Sequence, residues 1–195
     1  MPMSRSLSIG LLVVAIAGTP VIAQAQTPPT LPTCRAGGQP VTLVIRTDLT
    51  SGWTVNGAPV AAVADPGYTN VAPATWIGPV GGRGPATLVY RVPFNAPTMH
   101  GQMSVSARWA ADNCGGMLTA GTGTATAGST SCTPGPNAPP NGQDFRAFNH
   151  ITNAQFHPAD SNNPTPSLTF TVANQPGSKT GLAGVFTITA LCVCR

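Results

Sequence analysis

The residues best suited to chemistry lie together in one short segment, Asp112-Asn113-Cys114-Gly115. A carboxylate, an amide and backbone groups in one turn can hydrogen-bond sugar hydroxyls or coordinate calcium. Asp and Asn also form Asx-turns, in which they bond only to their own backbone, so this segment has a structural alternative. A second oxygen-rich segment, Asp160 to Asn163, lacks the spacing of a known calcium loop. A solvated turn is the main interpretation there, and calcium is the alternative.

Aromatic side chains offer a second route to sugar binding, because an apolar sugar face can stack on Trp or Tyr. Trp76, with Tyr68 nearby in a segment rich in Gly and Pro, is the best candidate for such a platform. Packing that pins the loop is the alternative for Trp76 and also for Trp53. We expect Trp109 in the core, because it is in phase with the apolar positions of its strand.

Few residues of the chain fit a known catalytic motif. The chain has no Glu, so a His-Glu-x-x-His zinc motif cannot occur, and no Gly-x-Ser-x-Gly nucleophile elbow is present. Glycoside hydrolysis usually needs two facing carboxylates. The carboxylates are far apart in sequence, at Asp48, Asp65, Asp112, Asp144 and Asp160. The histidines, His100, His150 and His157, also lie far from any motif. We therefore expect no enzyme and no cofactor other than calcium; a glycan-active hydrolase would require two carboxylates to meet in the fold.

The charge pattern indicates whether nucleic acid is an expected partner. The chain has 9 basic and 5 acidic residues, for a net charge of +4. No two basic residues are adjacent, whereas nucleic-acid binding needs a clustered basic patch. Nucleic acid is therefore not an expected partner.

The N-terminus predicts export. Arg5 precedes an apolar run from Ile9 to Ala17, and Ala23-Gln24-Ala25 forms an A-x-A cleavage site. Residues 1–25 therefore read as a signal peptide cut before Gln26. The apolar run is well short of the roughly 20 residues that a membrane-spanning helix needs. We expect a secreted or periplasmic protein without a membrane anchor in the mature chain.

The rest of the chain predicts one all-β domain. Residues 26–33 read as an extended lead-in and residues 34–195 as a single β-sandwich, because Gly and Pro punctuate runs rich in Val, Thr, Ile and Phe. Residues 64–85 read as a long ordered loop, residues 119–131 as a weakly specified strand, and residues 145–151 as ambiguous. Strands are predicted at 41–47, around an Asn56-Gly57 turn, and at 87–94, 102–110, 168–172 and 184–190.

Two motifs resemble those of galactose-binding-like jelly-roll ectodomains, which are carbohydrate-binding-module-like domains of secreted bacterial proteins. That family opens a turn with Trp, a small residue and Asp-Asn, as in Trp109 to Asn113, and has a late Asn-x-x-Gly-x-x-x-Gly-Leu, as in Asn174 to Leu182. Its Trp-Thr and Trp-Ile pairs match Trp53 and Trp76. The family's amide after the turn is replaced in Leu118 to Gly121, and its frequent PEP-type C-terminal sorting signal is absent. The resemblance implies a jelly-roll β-sandwich.

Five cysteines in an exported chain predict disulfides with one thiol left over. Because the terminal strands of a jelly roll lie close together, the resemblance pairs Cys34 with Cys192 or Cys194. Cys114 and Cys132 would close a loop of about 18 residues around the polar turn.

Together these features predict an exported, non-catalytic module that binds carbohydrate or a cell-surface glycan. Tyr68, Trp76, Asp112 and Asn113 are its candidate ligand-binding residues, and calcium is the candidate metal at Asp112 or Asp160. The alternative function is structural, as an assembly protein of the cell surface or extracellular matrix.

Overall fold

The computed structural model describes residues 26–34, 38–64, 67–85, 87–96, 100–112, 114–120, 148–156, 165–174 and 177–192. Residues 100 and 114–120 are described by their backbone alone. Several predictions on single residues or segments lie outside these ranges: the signal peptide, Asn113, the Cys132 bridge, the Asp160 segment and Cys194.

The described residues form strands and no helix. The strands are β1 (Val41–Arg46), β2 (Thr54–Val55), β3 (Ala58–Pro59), β4 (Ala61–Ala62), β5 (Ile77–Gly78), β6 (Thr87–Pro93), β7 (His100–Asp112), β8 (Cys114–Ala120), β9 (Asn149–Phe156), β10 (Ser167–Ala173) and β11 (Gly181–Cys192). The described residues contain no helix that is long and apolar enough to cross a membrane.

The strands form two antiparallel sheets. One has the order β4-β5-β11-β7-β9, with β1 also paired to β11, and the other has the order β3-β2-β6-β10-β8. From β6 to β8, and again from β9 to β11, each strand crosses to the opposite sheet. The arrangement of β1-β11-β7-β9 facing β6-β10-β8 is that of a jelly roll. The predicted all-β jelly-roll sandwich is confirmed.

The main core lies between the sheets and follows from the period of two in strands. Leu88, Tyr90 and Val92 of β6 are fully buried and alternate with exposed residues. On the facing sheet Trp109 is 1% exposed, and its ring centroid lies 4.7 Å from that of Phe170. The core position predicted for Trp109 is confirmed.

The predicted turn between β2 and β3 is also confirmed. Asn56 and Gly57 have φ angles of 49° and 81°. Two successive residues with positive φ are the mark of a type I′ hairpin turn, for which Asn-Gly is the preferred pair.

The boundaries of other elements differ from the prediction. Residues 64–85 are not loop alone, since they include β5, which pairs with β4 and with Leu182 of β11. Strand β7 continues to Asp112, because its last residues pair with the start of β11. The next strand, β8, belongs to the opposite sheet, so Asp112 ends β7 just before the chain changes sheet. The ambiguous stretch before residue 151 becomes strand β9 from Asn149.

Residues 26–33, the predicted lead-in, dock onto the sandwich. The Leu31 amide donates to the carbonyl of Asn95 at 2.9 Å, and the Asn95 amide donates to that of Pro29 at 2.8 Å. Leu31 is 1% exposed and belongs to the main core. Cys34 then forms a disulfide with Cys192, with a Cα–Cα distance of 5.5 Å, so one of the two predicted pairings of Cys34 is confirmed.

Candidate functional site

Three of the predicted site residues meet on the outer face of the six-stranded sheet. Tyr68 and Trp76 are stacked, with ring centroids 4.1 Å apart. The Tyr68 hydroxyl donates to Oδ2 of Asp112 at 2.8 Å. Asp112 reaches this face because it ends β7 two positions after Ala110, and alternate residues of a strand share a face. The loop before β5 is thereby tied to the end of β7.

The cluster is compact. Trp76 is 8% exposed and Asp112 is 6% exposed. The Trp76 ring packs with Val71, Ala110 and Ala183 in a small apolar cluster, while its Nε1 donates to the carbonyl of Thr69 at 2.9 Å. The close approach of the Trp76 ring to β11 depends on Gly181, since a Cβ there would lie 3.0 Å from Cε3 of Trp76. The ring face of Trp76 is therefore covered in this structure, and sugar stacking on it stays a prediction.

A polar layer lies behind Asp112. The Thr180 hydroxyl is buried and donates to the backbone carbonyl of Asp112 at 2.8 Å. Burial raises the pKa of the Tyr90 phenol well above its ordinary value. Thr180 and Tyr90 are both fully buried, so this end of the sandwich is closely packed behind the residues on the outer face.

A groove of about 480 Å³ runs beside this cluster on the same outer face. Its wall is the segment Val71–Ala72–Pro73, which continues from the anchored loop. Its floor is sheet, lined on the outer face by Ser106, Arg108, His150, Val185 and Thr187, together with Ala107 and Ile151, whose side chains are buried in the main core. A sheet floor is rigid, and hydroxyl groups beside aliphatic surface suit a polar ligand with apolar patches.

The strand register places basic side chains in one row across this face. Arg46 pairs with Val185, Val185 with Arg108, and Arg108 with His150. Residues directly opposite in a ladder project from the same face. Arg46, Arg108 and His150 are all exposed. We name Arg46, Val185, Arg108 and His150 the basic row; sequence reasoning missed it, because its members are far apart in the chain.

The central arginine of the basic row is held in place. The Arg108 guanidinium carbon lies 3.4 Å from the ring centroid of Phe148, the residue preceding β9. Such stacking restricts the guanidinium and leaves its edge donors free to face the groove. The next row of the ladder contributes Val44, Thr187 and Ser106, of which the latter two line the groove.

The described carboxylates have separate local partners. Asp48 caps the turn after β1, where its Oδ1 accepts from the amides of Thr50 and Ser51 at 2.7 and 2.6 Å. Burial acts to raise the pKa of Asp48, but these bonds and those from the two hydroxyls outweigh it and lower the pKa below the ordinary value. Asp112 is bound by Tyr68. Within the described ranges, no three His, Cys, Asp or Glu side chains group as a metal site.

Comparison with known proteins finds a structural likeness. No protein-family model matches the sequence, and no curated protein matches it significantly. Among solved structures, the chain is similar to the native structure of a family 35 carbohydrate binding module from Clostridium thermocellum, with 11% sequence identity and a TM-score of 0.38. The likeness covers 74% of this chain and 97% of that module. The chemistry of the groove therefore has to follow from its own residues.

Proposed function

We propose that this protein is an exported, non-catalytic module that binds carbohydrate in the groove on the outer face of the six-stranded sheet. The observation that carries the proposal is the groove itself: a rigid sheet floor bearing Ser106, Thr187 and Arg108, closed on one side by the Val71–Pro73 wall. Its volume of about 480 Å³ lies within the range of small-ligand sites.

The lining matches the chemistry of a sugar. Sugar hydroxyls need donors and acceptors at close spacing, and the hydroxyls of Ser106 and Thr187 provide both. The C–H faces of a sugar need apolar contact, which Val185 and Pro73 supply. The guanidinium of Arg108 adds several donors in a fixed plane.

Tyr68, Trp76 and Asp112 act in this proposal as positioning residues. The stacked rings and the hydrogen bond from Tyr68 to Asp112 fix the loop from which the wall projects. These three residues then lie beside the bound ligand and set the shape of the groove. Calcium at Asp112 remains a separate proposal, and repeating each binding measurement in EDTA tests it.

The export context supports a role outside the cytoplasm. The sequence predicts a signal peptide, and disulfides such as Cys34–Cys192 are typical of oxidising compartments. Secretion or periplasmic location would bring the module to polysaccharides of the cell surface or surroundings.

Affinity gel electrophoresis of the mature, oxidised protein tests the proposal, with gels containing β-glucan, xylan, mannan, alginate or polygalacturonate. We expect retardation by at least one polysaccharide. A Thr187→Trp variant should abolish it, because the indole would fill the groove. Thr171→Trp is the matched control, since Thr171 is half-buried like Thr187 but lies on β10 of the opposite sheet.

Either of two results would count against the proposal. Equal retardation of both tryptophan variants would place binding elsewhere. No retardation of the folded wild type, together with a Cys-linked ladder on a non-reducing gel, would favour the structural assembly role instead.

A further inference from the structure

We infer that the ligand of this groove is an anionic glycan, whose carboxylate or sulfate group is bound by the basic row. The inference rests on the proposed function and names its ligand class. It follows from the row formed by Arg46, Val185, Arg108 and His150, of which the last three line the groove directly.

The spacing of the row suits a chain of charged sugars. Neighbouring strands lie about 4.8 Å apart, so Arg108 and His150 are one strand spacing apart and Arg46 and Arg108 are about two. Arg108 can form paired hydrogen bonds with a planar carboxylate or with two oxygens of a sulfate. Arg46 then faces the next part of the same ligand.

The charge on this face is unbalanced. Among the described outer-face residues of β1, β7, β9 and β11, Asp112 is the only carboxylate, and it is 6% exposed and bonded to Tyr68. Asp48 lies in the turn beyond β1, where Thr50 and Ser51 hold its carboxylate. The exposed arginines of the row therefore present positive charge to the groove, and an anionic ligand complements it.

The other features of the groove favour a glycan over a nucleic acid. Single-stranded nucleic acids stack their bases on aromatic side chains. On the described part of this face Trp76 is buried, Tyr68 is stacked on Trp76, and one face of the Phe148 ring is covered by Arg108. Hydroxyl-bearing strands beside the basic row, with Ser106 and Thr187 at its edge, instead match a ligand rich in hydroxyl groups.

Three dextrans of equal length test the inference, because they share one backbone: unmodified, carboxymethylated and sulfated dextran. Binding is measured by calorimetry on the wild type and on Arg108→Gln, Arg46→Gln and Arg91→Gln. Arg91 is the matched control, since it is an exposed arginine on the outer face of the opposite sheet and its loss changes the net charge equally.

We expect at least one charged dextran to bind tenfold or more tightly than unmodified dextran. The Arg108→Gln variant should lose about tenfold of that affinity, as a lost charge-assisted hydrogen bond would predict. Arg46→Gln should lose less, and Arg91→Gln should bind like the wild type. Which charged dextran binds better separates carboxylate from sulfate.

Several results would overturn the inference. Equal losses in Arg108→Gln and Arg91→Gln would mean unspecific charge attraction. Tighter binding of an oligothymidylate than of either charged dextran would assign the row to nucleic acid. Retardation of the wild type by neutral polysaccharides alone, sensitive to Thr187→Trp, would refute the anionic ligand while the proposed function stands. If no polysaccharide bound to the folded protein, both the anionic-ligand inference and the proposed function would be refuted.

Discussion

The two tyrosines of this chain lie near the same aspartate but differ in how their hydroxyls are used. Tyr68 is half-buried and donates to the Asp112 carboxylate at 2.8 Å. The Tyr90 hydroxyl is buried in the main core and makes no hydrogen bond of ordinary geometry with a described residue, although the Thr180 hydroxyl is near enough to act on its pKa. Removing the hydroxyl oxygen from each tyrosine in turn therefore measures how much the hydrogen bond from Tyr68 to Asp112 contributes to stability.

We expect Tyr68→Phe to lower the free energy of unfolding by about 1–3 kcal/mol, because it removes a hydrogen bond to a largely buried carboxylate. Tyr90→Phe should leave the stability unchanged or raise it slightly, since it deletes a buried hydroxyl that makes no hydrogen bond of ordinary geometry. Urea denaturation of both variants checks this. Equal effects of the two substitutions would show that the Tyr68 bond does not hold the loop.

At this scale the sequence predicted well where a residue follows a local pattern. Alternation along β7 predicted the buried Trp109, and the Asn-Gly pair predicted the hairpin. The cover over Trp76 could not be predicted, because it depends on close contact with Gly181 and Ala183 from a distant strand. The basic row needs the registers of β1, β7, β9 and β11 together, and none of these can be read from local spacing.

At the scale of elements, the connection from β10 to β11 is fixed to the segment that precedes β6. Asn174 is 2% exposed, and its Nδ2 lies 3.2 Å from the carbonyls of both Gly84 and Pro85. Its Oδ1 accepts from the Ser178 hydroxyl at 2.8 Å. Backbone bonds from Gly177 and Thr180 to this segment complete the contact. The Asn and Gly of the motif thus have a structural role, joining two connections at one end of the sandwich.

We expect Asn174→Ala to cost about 2–3 kcal/mol, because it removes the hydrogen bonds that this buried side chain makes to Gly84, Pro85 and Ser178. The Gly177 and Thr180 amides should exchange hydrogen faster, while those of the central β7–β11 ladder keep their rates relative to global unfolding. Ser178→Ala is the graded control, expected to cost about 1 kcal/mol, since it removes one bond from the same network. Unchanged protection of both amides would contradict the proposed junction.

The elements themselves were predictable where apolar and polar residues alternate regularly over a long stretch. Strands β6, β7, β10 and β11 alternate over seven or more residues, so their period of two is evident. Strand β5 is two residues long and is defined by single pairs with β11 and its neighbour β4. Such a strand exists through tertiary contact, which local propensity cannot show.

At the scale of the whole molecule, a disulfide joins the two ends of the described chain. The lead-in buries Leu31 in the main core, and three residues later Cys34 is joined to Cys192 at the end of β11. The residues of this disulfide are separated by 158 positions, so it encloses nearly all of the described chain. The jelly-roll resemblance led to this pairing, because it places the terminal strands side by side, as β1 and β11 are.

A bridge that closes so long a loop should stabilise the protein strongly by restricting its unfolded state. We expect Cys34→Ser to lower the free energy of unfolding by about 3–5 kcal/mol. The melting temperature should fall by roughly 10 °C for a domain of this size. Cys194→Ser is the matched control, because Cys194 is the alternative partner predicted for Cys34 and its loss leaves the Cys34–Cys192 bridge intact. Differential scanning calorimetry of the oxidised proteins distinguishes the two. If Cys194→Ser were the more damaging change, the native bridge would use Cys194 and the end of β11 would be tied two residues later.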